Sequence, residues 1–419
     1  MSQPLLSALL SAALLAGMPP VHAREAAPVP QHWLSSWGTS LMVADAANEL
    51  AADNWRDGSL RQIVPLSAGG QRLRVRVSNL FGSAAIRIEH ASVALALAAG
   101  NPDLDAASLR ELRFAGRRGV TIPAGAEYLS DPVALATSSG ASLAVTLHAL
   151  NAPGRQSGHP GARTHSFFVK GDKVMDAAWS DAGKVPRWYQ LADVEVEAPA
   201  SVGALVAMGD SITDGYGVPP DTNQRWTDAL VRRLAEAKAP MAVINGGIGG
   251  GRMLKDGLGP NLMARFEREV LGRSGVTHAL VLIGVNDLGV QHRNKEDTPE
   301  ARKALVDELM DAHRQIVERA HARGICVIGA TVAPYTGSDY YNPGPLNDAD
   351  RQVLNGWIRG SKVFDAVADV DAALRDPAQP ERLLAAFDSG DHLHPNMEGY
   401  RQIAGAVPLL ALRGCAVRR

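Results

Sequence analysis

The spacing of apolar residues changes near residue 198. Before that point, short runs alternate apolar and polar residues with a period of two, as in residues 73–77 (LRVRV) and 86–89 (IRIE). Residues 142–147 (SLAVTL) and 166–169 (SFFV) are further strand-like runs, and Gly and Pro separate the runs. Many short strands with turn residues between them predict an antiparallel β-sandwich.

After Pro199, apolar strands alternate with amphipathic helices. The predicted strands are residues 204–208, 242–245, 278–283 and 325–330, and the predicted helices are residues 226–238, 262–271, 299–323, 348–359 and 396–412. This alternation predicts an α/β fold with a parallel sheet covered by helices on both faces. Residues 194–199 are interpreted as the linker between the two halves.

The chain begins with an uncharged apolar run at residues 5–18, followed by Val-His-Ala at residues 21–23. This pattern is typical of a signal peptide with a small-x-small cleavage site, although a buried N-terminal helix remains an alternative. We predict a signal peptide at residues 1–23, a jelly-roll-like β-sandwich module at 24–198 and an α/β domain at 199–419. The protein is then secreted or periplasmic, with no stable membrane insertion.

Composition narrows the function classes. The chain has 419 residues and a formal net charge of -2, and it has no basic stripe of the kind that nucleic-acid binders carry. Its two cysteines, Cys326 and Cys415, lie in no CxxC pair, so a redox or zinc role is not supported. An exported protein could pair them, but two buried small hydrophobes are equally plausible.

Active residues of open α/β sheets gather beyond the carboxyl ends of the strands. The first such segment is residues 209–215 (GDSITDG), which places Ser211 after a strand as a candidate nucleophile. The alternative is a loop that only caps the following helix. The motif GxSxG is absent, which argues against the nucleophile elbow of α/β-hydrolases.

Two further segments could donate hydrogen bonds to an oxyanion. Residues 245–252 (NGGIGGGR) hold five glycines, and Arg252 stands where the dinucleotide motif GxGxxG requires Gly. An amide-donating loop is therefore preferred to a cofactor loop, with a flexible turn as the alternative. Asn286, in residues 284–287 (GVND), can aim a side-chain amide at an oxyanion, or it can simply form a turn.

The last chemical motif is Asp391 and His394, three residues apart before the final helix. In one tight turn the carboxylate can hold the imidazole, whose other nitrogen then takes a proton from Ser211. Metal binding through His392 and His394 is the competing interpretation, but the zincin motif HExxH is absent.

Together these residues resemble the SGNH, or GDSL-type, hydrolase family. Ser211 matches its nucleophile block, with Ile212 where Leu is usual; Gly250 and Asn286 match its oxyanion residues, and Asp391 and His394 match its Asp-x-x-His. The resemblance implies a three-layer, flavodoxin-like fold over roughly residues 199–413.

The first half is also similar to a known arrangement. Residues 33–37 (WLSSW), 60–64 (LRQIV) and 74–79 (RVRVSN) resemble secreted bacterial GDSL-type proteins with a β-rich module before the hydrolase domain. The tryptophans of this half are either core residues or platforms on which sugars stack: Trp33, Trp37, Trp55 and Trp179.

The resemblance implies a secreted carboxylic ester hydrolase that acts on short acyl or acetyl esters, of small molecules or of a polysaccharide. Ser211 forms an acyl-enzyme with His394 as base, and the oxyanion is held by the backbone N–H groups of Ser211 and Gly250 and by the Asn286 amide. Neither a metal nor an organic cofactor is required. The alternatives are an acyltransferase with the same triad and a non-catalytic carbohydrate-binding protein.

Overall fold

The computed structural model describes residues 29–415 and residue 417, so the predicted signal peptide lies outside the described residues. The elements of the N-terminal half are β1 (Gln31–Gly38), β2 (Met42–Val43), α1 (Ala52–Trp55), β3 (Gly58–Pro65), β4 (Gly70–Ser78), β5 (Ile86–Leu95), a 3₁₀ helix (Ala106–Ser108), β6 (Arg110–Glu111), β7 (Val120–Ile122), β8 (Glu127–Leu129), β9 (Val133–Thr137), β10 (Ser142–Ala149), β11 (Ser157–His159), β12 (Ser166–Lys170), β13 (Gly183–Val185), β14 (Trp188–Tyr189) and β15 (Leu191–Pro199).

Two antiparallel sheets of this half share one core. One has the strand order β1-β15-β4-β8, with β9 also paired to β4, and the other has the order β13-β12-β3-β10-β5-β6, with β7 paired to β5. Val75 and Val194 from the first sheet pack in the same apolar cluster as Leu60 and Val145 from the second. The predicted antiparallel β-rich fold of the N-terminal half is confirmed.

The linker predicted at residues 194–199 is wrong. These residues belong to β15, which lies between β1 and β4 in the middle of a sheet. Val194 and Val196 are fully buried in the core, and the buried Glu195 accepts hydrogen bonds from Arg74 and Arg76. The alternation Val-Glu-Val-Glu is itself a strand pattern, and the actual connection is residues 200–202.

The elements of the C-terminal half are β16 (Gly203–Gly209), α2 (Ser211–Asp214), α3 (Trp226–Glu236), β17 (Met241–Gly247), α4 (Leu262–Phe266), a π-helical turn (Glu267–Leu271), β18 (Val276–Leu282), α5 (Val285–Arg293), α6 (Pro299–His321), β19 (Cys326–Ala330), α7 (Pro345–Gly360), β20 (Ala366–Ala368), α8 (Val370–Leu374), α9 (Met397–Ala406) and a 3₁₀ helix (Leu409–Arg413). The parallel sheet has the order β17-β16-β18-β19-β20.

Both faces of this sheet are covered, which confirms the predicted α/β fold. Along β16, Val206 and Met208 point into one apolar cluster, while Leu205 and Ala207 point into another on the opposite face. A strand buried on both faces reads as a continuous apolar run, and this is why β16 was recognisable in the sequence. Strand β20 and helices α5 and α8 were not predicted.

Cys326 of β19 and Cys415 form a disulfide, with their Cα atoms 5.5 Å apart. This settles the pairing that the sequence left open and attaches the segment after α9 to the sheet. No helix within residues 29–415 is long and apolar enough to cross a membrane.

The two halves are packed together along the edge of the parallel sheet. The outer strand β17 would otherwise expose unpaired backbone groups, but the Val243 N–H donates to Ser67 Oγ at 2.9 Å. Close by, the Ser35 N–H donates to the Ser274 carbonyl at 2.9 Å. The β-sandwich therefore covers one edge of the sheet that carries the candidate site.

Candidate active site

The sheet order brings three predicted site residues to one edge. Strand β16 pairs with β17 on one side and with β18 on the other, all three in parallel. Ser211 follows β16, Gly250 follows β17 and Asn286 follows β18. Because the carboxyl ends of parallel strands meet at the same edge, residues that are far apart in the sequence converge there.

Ser211 is the first residue of α2 rather than part of an open loop. The preceding Asp210 caps this short helix, since its Oδ1 accepts from the Ile212 N–H at 3.0 Å. A Cβ at Gly209 would lie 2.7 Å from the Leu282 carbonyl oxygen, so only glycine fits the turn that delivers Ser211. Ser211 is mostly buried, and its position is fixed by the backbone on both sides.

Ser211, His394 and Asp391 form a continuous hydrogen-bonded path. Ser211 Oγ lies 2.8 Å from His394 Nε2, and His394 Nδ1 lies 2.6 Å from Asp391 Oδ2. The other carboxylate oxygen, Asp391 Oδ1, accepts from the backbone N–H groups of His394 at 2.8 Å and Leu393 at 3.0 Å. Asp391 thus orients both the backbone and the ring of His394, and leaves Nε2 facing the hydroxyl.

Burial and hydrogen bonding set the charges along this path. Burial lowers the pKa of the His394 imidazole below its ordinary value, against the opposing effect of the Asp391 carboxylate. Although burial alone raises the pKa of Asp391, the hydrogen bonds from the His394 N–H and ring and from the Leu393 N–H lower it overall. At neutral pH the pair is therefore a carboxylate beside a neutral imidazole, which is the state a general base requires.

Gly250 and Asn286 follow the two strands that flank β16, the strand before Ser211. Gly250 has φ +68°, in the left-handed region that favours glycine. The amide nitrogen of Asn286 donates to the Gly251 carbonyl at 2.8 Å, and its oxygen accepts from the Tyr341 hydroxyl at 2.5 Å. Tyr341 thereby fixes which way the amide points, a role that nothing in the sequence around it indicated.

Asp287 joins the glycine-rich loop to α5. Its carboxylate accepts from the Met253 N–H at 2.9 Å and from the Leu254 N–H at 3.3 Å. Burial raises the pKa of Asp287 to about 6, and burial together with the charge of Asp287 raises the pKa of Asp210 to about 7. In place of the turn that was the alternative for Asn286, residues 286 and 287 lie in the first turn of α5, where Asp287 holds the loop that follows Gly250.

His392 takes no part in the path to Ser211. Its side chain is 49% exposed, and its Nδ1 lies 2.6 Å from Asp388 Oδ2. Within the described part of the chain, no group of three or more His, Cys, Asp or Glu side chains is arranged to hold a metal ion. The metal interpretation of His392 and His394 thus gains no support from the geometry.

Tyr216 covers one face of the imidazole. Its ring stacks on that of His394, with centroids 4.1 Å apart, and its carbonyl accepts from the Tyr400 hydroxyl at 2.7 Å. The Tyr216 side chain is itself about half exposed. An aromatic ring that is open to solvent beside the base offers an apolar surface to part of a substrate, and the sequence did not reveal it.

Residues 207–402 match the GDSL-like lipase/acylhydrolase family. Solved structures similar to this chain include a GDSL-like lipase from Bacteroides thetaiotaomicron VPI-5482 (17% identity, TM-score 0.38, covering 50% of this chain and 87% of that one). They also include the acetylxylan esterase Axe2 from Geobacillus stearothermophilus (22%, 0.37, 52% and 96%) and the psychrotrophic esterase EstA from Pseudoalteromonas sp. (16%, 0.35, 49% and 93%).

No curated protein sequence matches the chain. The family match covers every strand of the parallel sheet apart from the first residues of β16, and it includes Ser211, Gly250, Asn286, Asp391 and His394. The chain thus carries in its C-terminal half a GDSL-like lipase/acylhydrolase domain, the domain of a carboxylic ester hydrolase.

Proposed function

We propose that the chain is an exported serine esterase in which Ser211, His394 and Asp391 act as the catalytic triad. The observation that carries the proposal is the unbroken hydrogen-bonded path from Ser211 Oγ through the imidazole to the Asp391 carboxylate. That path contains a hydroxyl nucleophile, a neutral base and a carboxylate that stabilises the imidazolium once it forms.

The proposed reaction has two displacements. Ser211 Oγ attacks the ester carbonyl while His394 Nε2 takes its proton, and His394 then returns that proton to the departing alcohol oxygen. Water attacks the resulting acyl-enzyme with His394 again as base, which releases the acid and restores Ser211.

The oxyanion hole is proposed to consist of the backbone N–H groups of Ser211 and Gly250 and the amide of Asn286. The Asn286 amide has a second N–H beyond the one given to Gly251, and its orientation is held by Tyr341. Preorganised donors of this kind each contribute about 3 kcal/mol to lowering the barrier.

The acyl group is proposed to be short, such as acetyl. Leu258 is an apolar side chain beside Gly250, and it is 67% exposed. A single leucine offers enough contact for a methyl or short alkyl group, whereas a long chain would need a longer apolar groove. Short acyl esters of small alcohols and of polysaccharides are both compatible with this proposal.

Export is proposed from the apolar run at residues 5–18 and is consistent with the Cys326–Cys415 disulfide, because disulfides persist in oxidising compartments. N-terminal sequencing of the protein recovered from outside the cytoplasm should find Arg24 as the first residue. Recovery only from the cytoplasm, with residues 1–23 retained, would contradict export.

The test of the reaction is a panel of acetyl, butyryl and octanoyl esters, run with the wild type, Ser211→Ala and the control Ser180→Ala, which alters an exposed serine of the other half. Ser211→Ala should abolish hydrolysis at unchanged thermal stability, and a serine-reactive phosphonate should label Ser211 alone. Near-wild-type turnover by Ser211→Ala would refute the proposal, while transfer of the acyl group to an added sugar in preference to water would make the enzyme an acyltransferase.

A further inference from the structure

One loop of the β-sandwich reaches the candidate active site. Residues 160–165 connect β11 to β12 and lie against the segment that follows α2 in the hydrolase domain. The Arg225 guanidinium donates to the Ala162 carbonyl, and the Asp221 N–H donates to the Arg163 carbonyl at 2.9 Å. Asp221 also accepts from the His165 N–H at 2.8 Å. The loop is therefore anchored on both sides of Arg163.

The backbone at Arg163 is held in an uncommon conformation. Its φ is +50°, in the left-handed region that side chains other than glycine rarely adopt. Such conformations persist where surrounding contacts enforce them, and they are concentrated at functional sites. Here the contacts of Ala162 and Asp221 enforce it, and they direct an arginine toward the site.

The positive charge of Arg163 is not neutralised by the carboxylates that anchor its loop. Asp214 lies 2.9 Å from His159, Asp221 lies 2.5 Å from His165, and Asp228 lies 3.1 Å from Arg225. Among the described residues, the buried Nε of Arg163 has no hydrogen-bond partner. Arg163 as a whole is only partly buried, so the outer nitrogens of its guanidinium can bind an anion from outside the chain.

Arg163 lies on the His394 side of the site. Its guanidinium carbon is 5.5 Å from the centroid of the Tyr216 ring, which is the ring that stacks on His394. Gly250 and Asn286, the proposed oxyanion residues, follow strands β17 and β18. In the proposed reaction, the departing alcohol oxygen takes its proton from His394, so the alcohol part of the ester must lie near Tyr216.

The structure assigns Arg163 a role in specificity, an inference that rests on the proposed esterase function. Arg163 binds a carboxylate carried by the alcohol part of the ester, and that part of the substrate lies against the Tyr216 ring. A planar guanidinium pairs with a carboxylate through two parallel hydrogen bonds. An aromatic ring beside it suits the apolar face of a ring-shaped alcohol. The substrate class is therefore acyl esters of acidic hydroxy compounds, such as acidic sugars.

The test compares two acetyl esters that differ in one charge. They are 4-acetoxybenzoate and its neutral amide, 4-acetoxybenzamide, and the measured quantity is the ratio of their kcat/KM values. Arg163→Gln should lower this ratio about tenfold or more, mainly through a higher KM for the acidic ester. Arg163→Lys, which keeps the charge but not the fork, should give an intermediate ratio. Arg56→Gln, at a 63% exposed arginine elsewhere in the β-sandwich, should leave it unchanged.

A measurement on the wild type alone complements the variants. Its preference for the acidic ester should fall as ionic strength rises, because an exposed charge pair is screened by salt. This result does not depend on whether Arg163→Gln folds.

The outcomes separate the two proposals. If neither ester is hydrolysed and phosphonate does not label Ser211, the esterase proposal fails. If both are hydrolysed but the ratio is the same in wild type and Arg163→Gln, or does not respond to salt, the assignment of Arg163 is wrong. Equal losses on both esters in Arg163→Gln and Arg163→Lys would likewise overturn it, because they would make the arginine purely structural.

Discussion

The two halves of the molecule contribute different things to the site. Every residue proposed to react lies in the C-terminal half, whereas the β-sandwich supplies polar partners to groups buried beneath the site. His159 of β11 lies 2.9 Å from Asp214, the last residue of the helix that begins with Ser211. Both side chains are almost fully buried, and the other ring nitrogen of His159 lies 2.8 Å from the Ser40 carbonyl.

A second shared network lies under the ends of the central strands. Arg265 donates to the carbonyls of Gly246 at 2.6 Å and Gly209 at 3.0 Å, just before the two loops that carry Gly250 and Ser211. Arg265 is paired with Glu269, and Glu269 accepts from the Ser40 hydroxyl of the β-sandwich. The residues that support the site therefore come from both halves, although those proposed to react come from one.

Removing the β-sandwich should change the protein more than any single substitution. A chain that starts at Ala200 lacks His159 and Asp193, the buried partners of Asp214 and Arg273. It also uncovers the outer strand β17, which the β-sandwich covers in the full chain. We expect no cooperative thermal unfolding and no ester hydrolysis, measured beside a chain starting at Arg24. A soluble, fully active fragment would show that the β-sandwich is dispensable.

Within the C-terminal half, only the histidine on the path to Ser211 should govern turnover. His394→Ala removes the proposed base and should lower kcat by roughly 10⁴-fold. His392→Ala removes a half-exposed ring that pairs with Asp388, and it should change kcat by less than about threefold. Steady-state kinetics on one acetyl ester would decide between them. A larger loss of kcat in His392→Ala than in His394→Ala would mean that His394 is not the base.

The residues proposed to react could be found from the sequence, whereas their partners in the β-sandwich could not. Local motifs were sufficient to select Ser211 with its flanking glycines, and Asp391 with His394, as candidates, because these residues are close in sequence or follow recognisable strands. His159 and Arg163 could not be found in this way. Their partners are more than 50 residues away along the chain, as with His159 and Asp214, and an isolated His or Arg in a strand-rich half gives no signal of what it faces.

Element prediction failed for a related reason. Strand β20 has only three residues, and its place is decided by pairing with β19 rather than by its own pattern. Residues 194–199 were interpreted as a linker because the alternation of strands and helices begins only after Pro199, and the last strand of the β-sandwich was not recognised.

The alternatives for the tryptophans, core residue or sugar platform, are decided for three of them. Trp37, Trp55 and Trp179 are buried core residues, while Trp33 is partly exposed beneath Arg74.

The contribution of the β-sandwich to stability can be measured at a single ion pair, His159 with Asp214. His159→Ala leaves the Asp214 carboxylate buried without its partner and should lower the free energy of unfolding by about 3–5 kcal/mol. The matched control is His321→Ala, whose ring pairs with Asp365 at 2.9 Å near the surface and should cost about 1 kcal/mol or less. Urea denaturation of both variants measures the difference. Equal losses would mean that the buried pair at the junction adds nothing beyond a surface pair.

A charge of the β-sandwich should also shift the pH dependence of kcat/KM, by a small amount, through its effect on His394. His394 must be neutral to act as base, so kcat/KM should fall as pH drops through its pKa, which burial holds below 6.5. The charged groups that act on the ring are Asp391, which raises this pKa, and Arg163, which lowers it. Arg163→Gln removes a positive charge, so the acid limb of the kcat/KM profile should move to higher pH, whereas Arg56→Gln should leave it in place.

Asp210, whose pKa is about 7, titrates in the same range as His394. The profiles are therefore to be measured in an Asp210→Asn background, which keeps an oxygen to cap Ile212. A limb that stays fixed or moves downward in Arg163→Gln would mean that the charge of the β-sandwich does not reach the base.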